Sequence, residues 1–432
     1  MKKDILRMSQ RERHRYHLLK MVFDERITLR QASERMGVCY RHAKRLKRNA
    51  RLHGAKGIVH GNRGRASPRG LDQALKDRII ELSEDRYSNF NDAHFTEKLN
   101  EIEGIYVSRE TVRKLRRGCG IKPKRRRRPK KHHKRRPRKA QEGMMVLWDG
   151  SPHRWFGNDT APCCLMAAVD DASGRLLAAF FIEYEGSFGY LKLLKEIVTR
   201  YGIPVSIYQD RHSALHRNDD NWTLEEQLAG EQEPTQVGCA LKALAITPIF
   251  ALSPQAKGRI ERPFGVLQDR LIAEMQLLGI KEIQEANTFL KEVFIEDYNG
   301  RFAVKPEQSQ AAWQKVPRGL DIERIISFCY QATVGNDNAV RLGGLVIDIP
   351  EGPNQRGYAK AKVQVYQLLD GSWRVYYKDK IIAKTEPTPL KEPIRARPRT
   401  RSKAKAATNE TWIYLASATK IDTTKGTFSR CT

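Results

Sequence analysis

Cysteine is scarce, with seven in 432 residues at positions 39, 119, 163, 164, 239, 329 and 431. The number is odd and no Cys-x-x-Cys pair occurs. A disulfide framework or a zinc knuckle is therefore not expected, and the thiols read as idle groups in a reducing compartment. Long apolar runs are missing too. The best candidate, 240–252, is interrupted by Lys242 and Pro248 and falls short of the roughly 20 apolar residues that cross a bilayer. The opening Met1-Lys2-Lys3-Asp4 has no apolar core of a secretory signal. These absences point to a cytoplasmic protein with no membrane partner. Acidic residues are what the first third lacks: residues 1–140 hold 42 Lys/Arg against 15 Asp/Glu, which is +27 of the net +29. Residues 391–432 hold 10 against 3, so by difference (29 less 27 less 7) the stretch 141–390 is at −5. A basic arm on a near-neutral body is the electrostatic footprint of a nucleic-acid binder. A membrane surface is the rival partner, but the arm contains no strongly amphipathic, aromatic-lined helix.

What is present suggests several domains, since 432 residues exceed one ordinary domain and 40% hydrophobic content supports a substantial core. Residues 1–56 read as helical. Thr28 can cap a helix with apolar Leu29, Ala32 and Met36, Gly37 permits a tight turn, and Val38 packs back. The following helix, 40–52, exposes Arg41, Lys44, Arg45 and Arg48, the pattern of a helix-turn-helix whose second helix lies in a major groove. Residues 54–70 form a Gly/Arg/Pro linker, in which Arg63 and Arg65 suit a minor groove. A second helix-turn-helix is expected over 71–120. Its last helix has Ser108 as cap, Val112 and Leu115 inside, and Arg109, Arg113, Lys114, Arg116 and Arg117 outside. The stretch 121–140 is a linker; within it, 122–139 has 13 Lys/Arg in 18 residues and repels itself too strongly to fold alone.

From Met144 the pattern changes to strands and helices. Strands are expected at 145–148, 163–169, 176–182, 205–209 and 246–251, and helices at 188–201, 236–244, 254–278 and 282–298. The polar stretch 217–233 reads as an insertion. This is an α/β core over 141–303. A small β-barrel-like domain follows at 335–390, with strands at 340–349, 362–368 and 373–382, and then a disordered basic tail, 391–432.

Two aspartates and a glutamate stand out in this core. Asp149 ends the first strand, Asp210 ends the fourth, and Glu261 sits on the helix after the last. Three converging carboxylates repel one another unless cations lie between them. Oxygen-only donors suit Mg²⁺ or Mn²⁺. Two such ions, about 3.5–4 Å apart, activate the attacking oxygen and stabilise the leaving one in phosphoryl transfer. Lys257 and Arg259, beside Glu261, are candidates for phosphate contacts. Asp170 and Asp171 read as turn formers, His212 as a strand cap or a group orienting water or phosphate, and Trp148 and Trp155 as packing.

The segments Trp148-Asp149-Gly150-Ser151-Pro152-His153, Tyr208-Gln209-Asp210-Arg211-His212 and Pro254-Gln255-Ala256-Lys257-Gly258-Arg259-Ile260-Glu261-Arg262 resemble the Asp-Asp-Glu motifs of integrase-core transposases, most nearly the ISNCY type of prokaryotic insertion sequences. Lys-Gly-x-x-Glu-Arg opening a helix is the most specific of the three. The fifty residues between Asp210 and Glu261 exceed the spacing common in retroviral-type integrases, which the insertion at 217–233 accounts for. The resemblance implies a multidomain chain of all-α helix-turn-helix units, an RNase H-like integrase core and a C-terminal β-domain. It also implies Mg²⁺ or Mn²⁺ held by Asp149, Asp210 and Glu261, and a homodimer or higher oligomer acting on double-stranded DNA, both terminal inverted repeats and target, on the prokaryotic nucleoid. Two other functions stay open: a catalytically inactive DNA-binding regulator, and an RNase H-type nuclease without strand transfer.

Overall fold

A computed structural model describes residues 6–61, 63, 70–124, 136–157, 160–217, 222–251, 258–352, 356–388, 393–394 and 413–415, with backbone alone at 258–260 and 413–415. The chain divides into two compact units, Met1–Ile79 and Ile80–Thr432. No helix among the described residues is long and apolar enough to cross a membrane.

The first unit holds α1 (Gln10–Phe23), α2 (Leu29–Met36) and α3 (Tyr40–His53), followed by a 3₁₀ turn at Gly54–Ile58. Ser9 with Glu12, and Thr28 with Gln31, form reciprocal capping boxes that fix where α1 and α2 begin. Gly37 ends α2 at φ 64°, a left-handed conformation that only glycine adopts without strain. Leu19, Ala32, Met36, Ala43 and Leu46 close the core between the helices, and Val38 packs against it as its position after the turn suggests.

In the second unit, α4 (Gln73–Glu84) leads in from the boundary, and α5 (Asp92–Glu101) and α6 (Arg109–Gly118) follow, capped by Asn91 and Ser108. Arg116 is not on the outer face of α6: it is 3% exposed, and its guanidinium donates to the Phe90 carbonyl at 3.0 Å and to Asp92 at 2.9 Å. The two-residue spacing of Arg116 from Lys114 carries it round to the inner face. Arg117 also turns to Asp92, at 2.7 Å.

A five-stranded sheet of order β3-β2-β1-β4-β5 forms the centre of this unit. Its strands are β1 (Val146–His153), β2 (Cys163–Asp170), β3 (Leu176–Ile182), β4 (Ser206–Gln209) and β5 (Thr247–Phe250). β1, β2 and β3 meander antiparallel, while β4 and β5 run parallel to β1. β2 is buried along its whole length because both faces are covered, and its residues alternate between two cores. Cys164, Met166 and Ala168 meet α7 (Ser187–Arg200), and on the same face, beyond the short α8 (Leu224–Ala229), lies α9 (Gln236–Ala243). Leu165, Ala167 and Val169 meet α10 (Gly258–Leu278), α11 (Ile283–Phe289) and α12 (Ile295–Phe302). A turn of π-helix, Leu290–Phe294, interrupts what reads in sequence as a single helix over 282–298. α8 lies inside the expected insertion at 217–233, started by a capping box of Thr223 and Glu226.

After the short α13 (Ile322–Ile325) come β6 (Phe328–Thr333), β7 (Ala339–Leu342), β8 (Leu345–Asp348), β9 (Lys362–Gln367), β10 (Trp373–Tyr377) and β11 (Lys380–Lys384). They form a sheet β11-β10-β9-β6 and a smaller one in which β12 (Ile413–Leu415) pairs with β8 beside β7. Val340, Ile347, Val365, Trp373 and Val375 share one core between them. The strand expected at 340–349 is a hairpin, broken by Gly343-Gly344 at positive φ, and that expected at 373–382 is a second hairpin turning at Lys378-Asp379. β6 begins ahead of the expected boundary at 335. The expected disorder of 391–432 lies outside the described residues, apart from 393–394 and β12.

Candidate active site

Backbone pairing places the two aspartates. β1 pairs with β4 at Val146↔Ile207 and Leu147↔Tyr208, and the same register carried on sets Asp149 opposite Asp210, one residue past the end of β4. Contrary to expectation, β1 does not end at Asp149. It continues along β2, with Asp149 opposite Ala167, so Asp149 stands where β1 parts from β4. A buried bond between the preceding pair locks this point: the Trp148 indole donates to the Gln209 side-chain oxygen at 3.0 Å. Asp149 Oδ1 accepts from the Gly150 amide at 3.1 Å, and Asp210 Oδ1 from the His212 amide at 2.9 Å. His212 Nδ1 in turn accepts from the Ala214 amide at 3.3 Å, so its ring caps the loop after β4.

Beneath the pair lies a fully buried Tyr190 on α7. Its hydroxyl donates to Glu185 Oε1 at 2.5 Å. Burial first, and then the fields of Glu185, Asp149 and Asp210, push that hydroxyl well above the ordinary tyrosine range, so it stays a donor. Glu185 lies flat against Gly150: a Cβ on Gly150 would stand 2.5 Å from the Glu185 carboxyl carbon. Glu185 is thus a further carboxylate beside Asp149 on β1 that the sequence does not single out. Its only local signal is its place just before α7, and the crossing of β3 into α7 brings it back to β1.

Glu261 lies exposed in the first turn of α10. Among the described residues no three His, Cys, Asp or Glu side chains come close enough together to hold a metal ion. Asp149 and Asp210 are aligned by the strand register, and the two are not gathered with Glu261 into one group; the segment 252–257 leading into α10 lies outside the described residues. The donors fit a hard dication in kind, since Asp149 and Asp210 offer only oxygens and are half-buried, leaving room for water.

The basic candidates divide. Arg41, Lys44, Arg45 and Arg48 are exposed on α3, with Lys44 4.9 Å over the Tyr40 ring. Arg109, Arg113 and Lys114 are exposed on α6, with Arg113 forked onto Glu110 at 2.7 and 2.8 Å. Arg63, 43% exposed, pairs with Glu12 of α1 at 2.7 Å and donates to the Arg7 carbonyl at 2.8 Å. Glu12 answers with a pKa lowered to about 2, chiefly by the Ser9 amide. Arg65, Lys257 and the Arg259 side chain lie outside the described residues, as does most of the basic linker. The end of that linker is tied down: Arg136 and the Lys139 amide both bond Asp171, which is itself in the β2–β3 turn. Asp170 accepts from the Gly143 and Ser173 amides, a turn-former's bonds. Trp148 and Trp155 are buried.

No family model matches the chain. Among curated proteins it is similar to "Putative transposase y4bF" of Sinorhizobium fredii, 32% identical over 375 residues, covering 87% of this chain and 80% of that protein. It is also similar to the "Transposase for insertion sequence IS1202" of Streptococcus pneumoniae, 30% identical over 405 residues, 86% of this chain and 85% of that one. Among solved structures it is similar to a chain of the simian T-cell lymphotropic virus intasome in complex with PP2A regulatory subunit B56 gamma. That match has 15% identity, covers 68% of this chain and 91% of that chain, and has a TM-score of 0.30. Another is the dimeric HTLV-2 integrase catalytic core domain in complex with magnesium, with 15% identity, 35% and 89% coverage and a TM-score of 0.24.

Proposed function

The chain belongs to the insertion-sequence transposases, and from that premise we propose that its sheet is an RNase H-like catalytic core in which Asp149, Asp210 and Glu261 hold two divalent ions, Mg²⁺ or Mn²⁺. The observation that carries this reading is the β1–β4 register, which aligns Asp149 with Asp210 at the end of β4, between two inner strands of the sheet. Such ions supply Lewis-acid stabilisation of the attacking and leaving oxygens of a phosphodiester. The residues do the rest. Trp148 and Gln209 hold the two strands in register, the Gly150 and His212 amides orient the carboxylates, and Tyr190 keeps Glu185 in place against Gly150. Glu261 completes the set when α10 brings its first turn to the sheet edge, and Lys257 and Arg259 beside it meet phosphates of the cut strand.

In the first reaction, water attacks the phosphodiester at the element's end, and the strand leaves with a free 3′-hydroxyl. In the second, that hydroxyl attacks a target phosphodiester and displaces the target's own 3′-oxygen. Neither step needs sequence information, so specificity falls to the basic first third. There α2 and α3 act as a helix-turn-helix with Arg41, Lys44, Arg45 and Arg48 toward the DNA, and α6 offers Arg109, Arg113 and Lys114. Two protomers or more on paired terminal repeats, on the nucleoid in the cytoplasm, complete the reading.

The test is incubation of the chain with DNA bearing an element end, in Mg²⁺ or Mn²⁺, beside Asp210→Asn. The wild type nicks at the end and joins it to target, and the variant binds without nicking. Ends bound and never nicked by either protein indicate an inactive regulator. Nicking without joining indicates a nuclease.

A further inference from the structure

α10 is gripped on two sides. One stripe of it, Phe264, Leu267, Leu271 and Met275, is buried in the core under the sheet. The stripe beside it, Asp269, Arg270, Glu274 and Gln276, meets α5 and the residues leading into it. Asn89 donates to Gln276 at 2.8 Å, and Asn91 bonds Asp269. Glu274, 9% exposed, has one oxygen 2.7 Å from both His94 Nε2 and Lys98 Nζ. Arg270 forks onto Glu97 at 2.6 and 2.8 Å, and Arg301 of α12 reaches the same Glu97 at 3.1 Å and Glu101 at 2.8 Å. After α6 the chain returns to the same helix, where Lys124 meets Asp269 at 3.0 Å.

Residues 91, 94, 97/98 and 101 fall three or four apart, so they form one face of α5. The opposite flank of α5 is fastened to α6, because Asp92 takes both Arg116 and Arg117. Charged pairs of this kind stabilise little over apolar packing, yet each is costly to break on one side, so they fix relative placement rather than add strength. Glu261 and Glu274 share α10, 13 residues or roughly 20 Å apart along the axis at 1.5 Å per residue.

We propose that the α5–α6 pair is a clamp on α10, in which Glu97, His94 and Lys98 are positioning residues that couple DNA held on α6 to the placement of Glu261. The inference rests on Glu261 acting in catalysis, as proposed above. It makes the second helical pair part of the catalytic assembly, not a reader hung on a free linker. DNA drawn against Arg109, Arg113 and Lys114 pulls on α6, the Asp92 pairs pass the constraint to α5, and Arg270 and Glu274 pass it to α10.

The test is a charge exchange in the full chain: Glu97→Arg, Arg270→Glu and the double variant, each read for end-DNA affinity, single-turnover nicking and hydrogen exchange of α6 and of the first turns of α10. Each single variant is expected to bind ends within threefold of wild type and nick at least tenfold more slowly. DNA slows exchange in α10 of the wild type but only in α6 of the single variants. The double variant recovers nicking to within threefold. Single variants that nick normally overturn the clamp, and so does a parallel loss of binding and nicking that the double variant fails to recover. If the wild type itself never nicks, the catalytic reading falls on its own. The clamp is then decided by exchange alone: it stands if DNA protects α10 in the wild type and double variant only, and falls otherwise.

Discussion

Arg116→Ala is the substitution that separates the sequence pattern from the fold. On the pattern it belongs to a basic outer face, and its removal should cost DNA affinity. In the structure it removes a buried guanidinium that donates to the Phe90 carbonyl and to Asp92 and lies 5.5 Å from the Phe95 ring centre. Losing one partner of a buried pair costs about 3–5 kcal/mol. Arg117 still holds the other Asp92 oxygen at 2.7 Å, so the lower end, about 3 kcal/mol, applies here. At about 1.4 kcal/mol per tenfold, protection of the α5–α6 amides against hydrogen exchange falls roughly 100-fold. The control is Arg113→Ala, whose exposed pair with Glu110 contributes little to stability and whose loss is expected to weaken DNA binding. Native-state exchange over 92–118 and a salt titration of end binding are measured for both. If Arg116→Ala leaves exchange unchanged and lowers DNA affinity as Arg113→Ala does, the placement of Arg116 in the interior is wrong.

Other outcomes follow from particular contacts. Gly150→Ala puts a methyl where the Glu185 carboxylate lies and displaces that side chain from Tyr190, so nicking falls about tenfold while calorimetry shows a loss of about 1 kcal/mol, the worth of one hydrogen bond. Leu194→Ala, in the core under α7, lowers stability by about 2–5 kcal/mol in denaturant unfolding. Arg45→Ala and Arg48→Ala, exposed on α3, each reduce the salt slope of DNA binding by about 1. Acid loosens α5 from α10. Burial, ahead of its other neighbours, lowers the His94 pKa from 6.5, and the His94 and Lys98 bonds to Glu274 outweigh burial and lower that carboxyl from 4.5. A depressed folded pKa means the folded state binds fewer protons, so stability holds above pH 6.5 and is lost as pH falls below it, with a further loss below pH 4.5. Exchange at α5 measured from pH 7.5 to 4 shows faster opening on the acid side, and His94→Gln flattens the upper part of that profile.

Much of the architecture is legible in the sequence because local chemistry and burial agree there. Thr28, Gly37 and Val38 announce the α2–α3 turn, and the nearly unbroken apolar runs of β2 and β3 fit a sheet covered on both faces. The misses have one cause, which is that tertiary contacts decide what periodicity leaves open. Arg116 looks like a member of a basic surface, and only the distant Asp92 shows that it is fastened inside the protein. Two hairpins read as single strands because Gly343-Gly344 and Lys378-Asp379 sit between short strand-like segments rich in Val, Ile, Leu and Tyr. At the site, Asp149 and Asp210 are visible as strand residues, yet their alignment depends on the β1–β4 register, which no local pattern encodes. Glu185 has no motif at all, because its importance comes from the return of α7 across β1.

With DNA bound, Asp149, Asp210 and Glu261 are proposed to share divalent ions. Replacing Mg²⁺ by Fe²⁺ on the protein–end-DNA complex and adding ascorbate and peroxide generates hydroxyl radicals at the metal, which cut the nearby backbone. Cleavage is expected at three places, around 149, 210 and 261, each suppressed by excess Mg²⁺ and by Asp210→Asn. Cuts confined to 149 and 210 with none at 261, or a pattern indifferent to Mg²⁺, would rule out metal sharing by the three carboxylates.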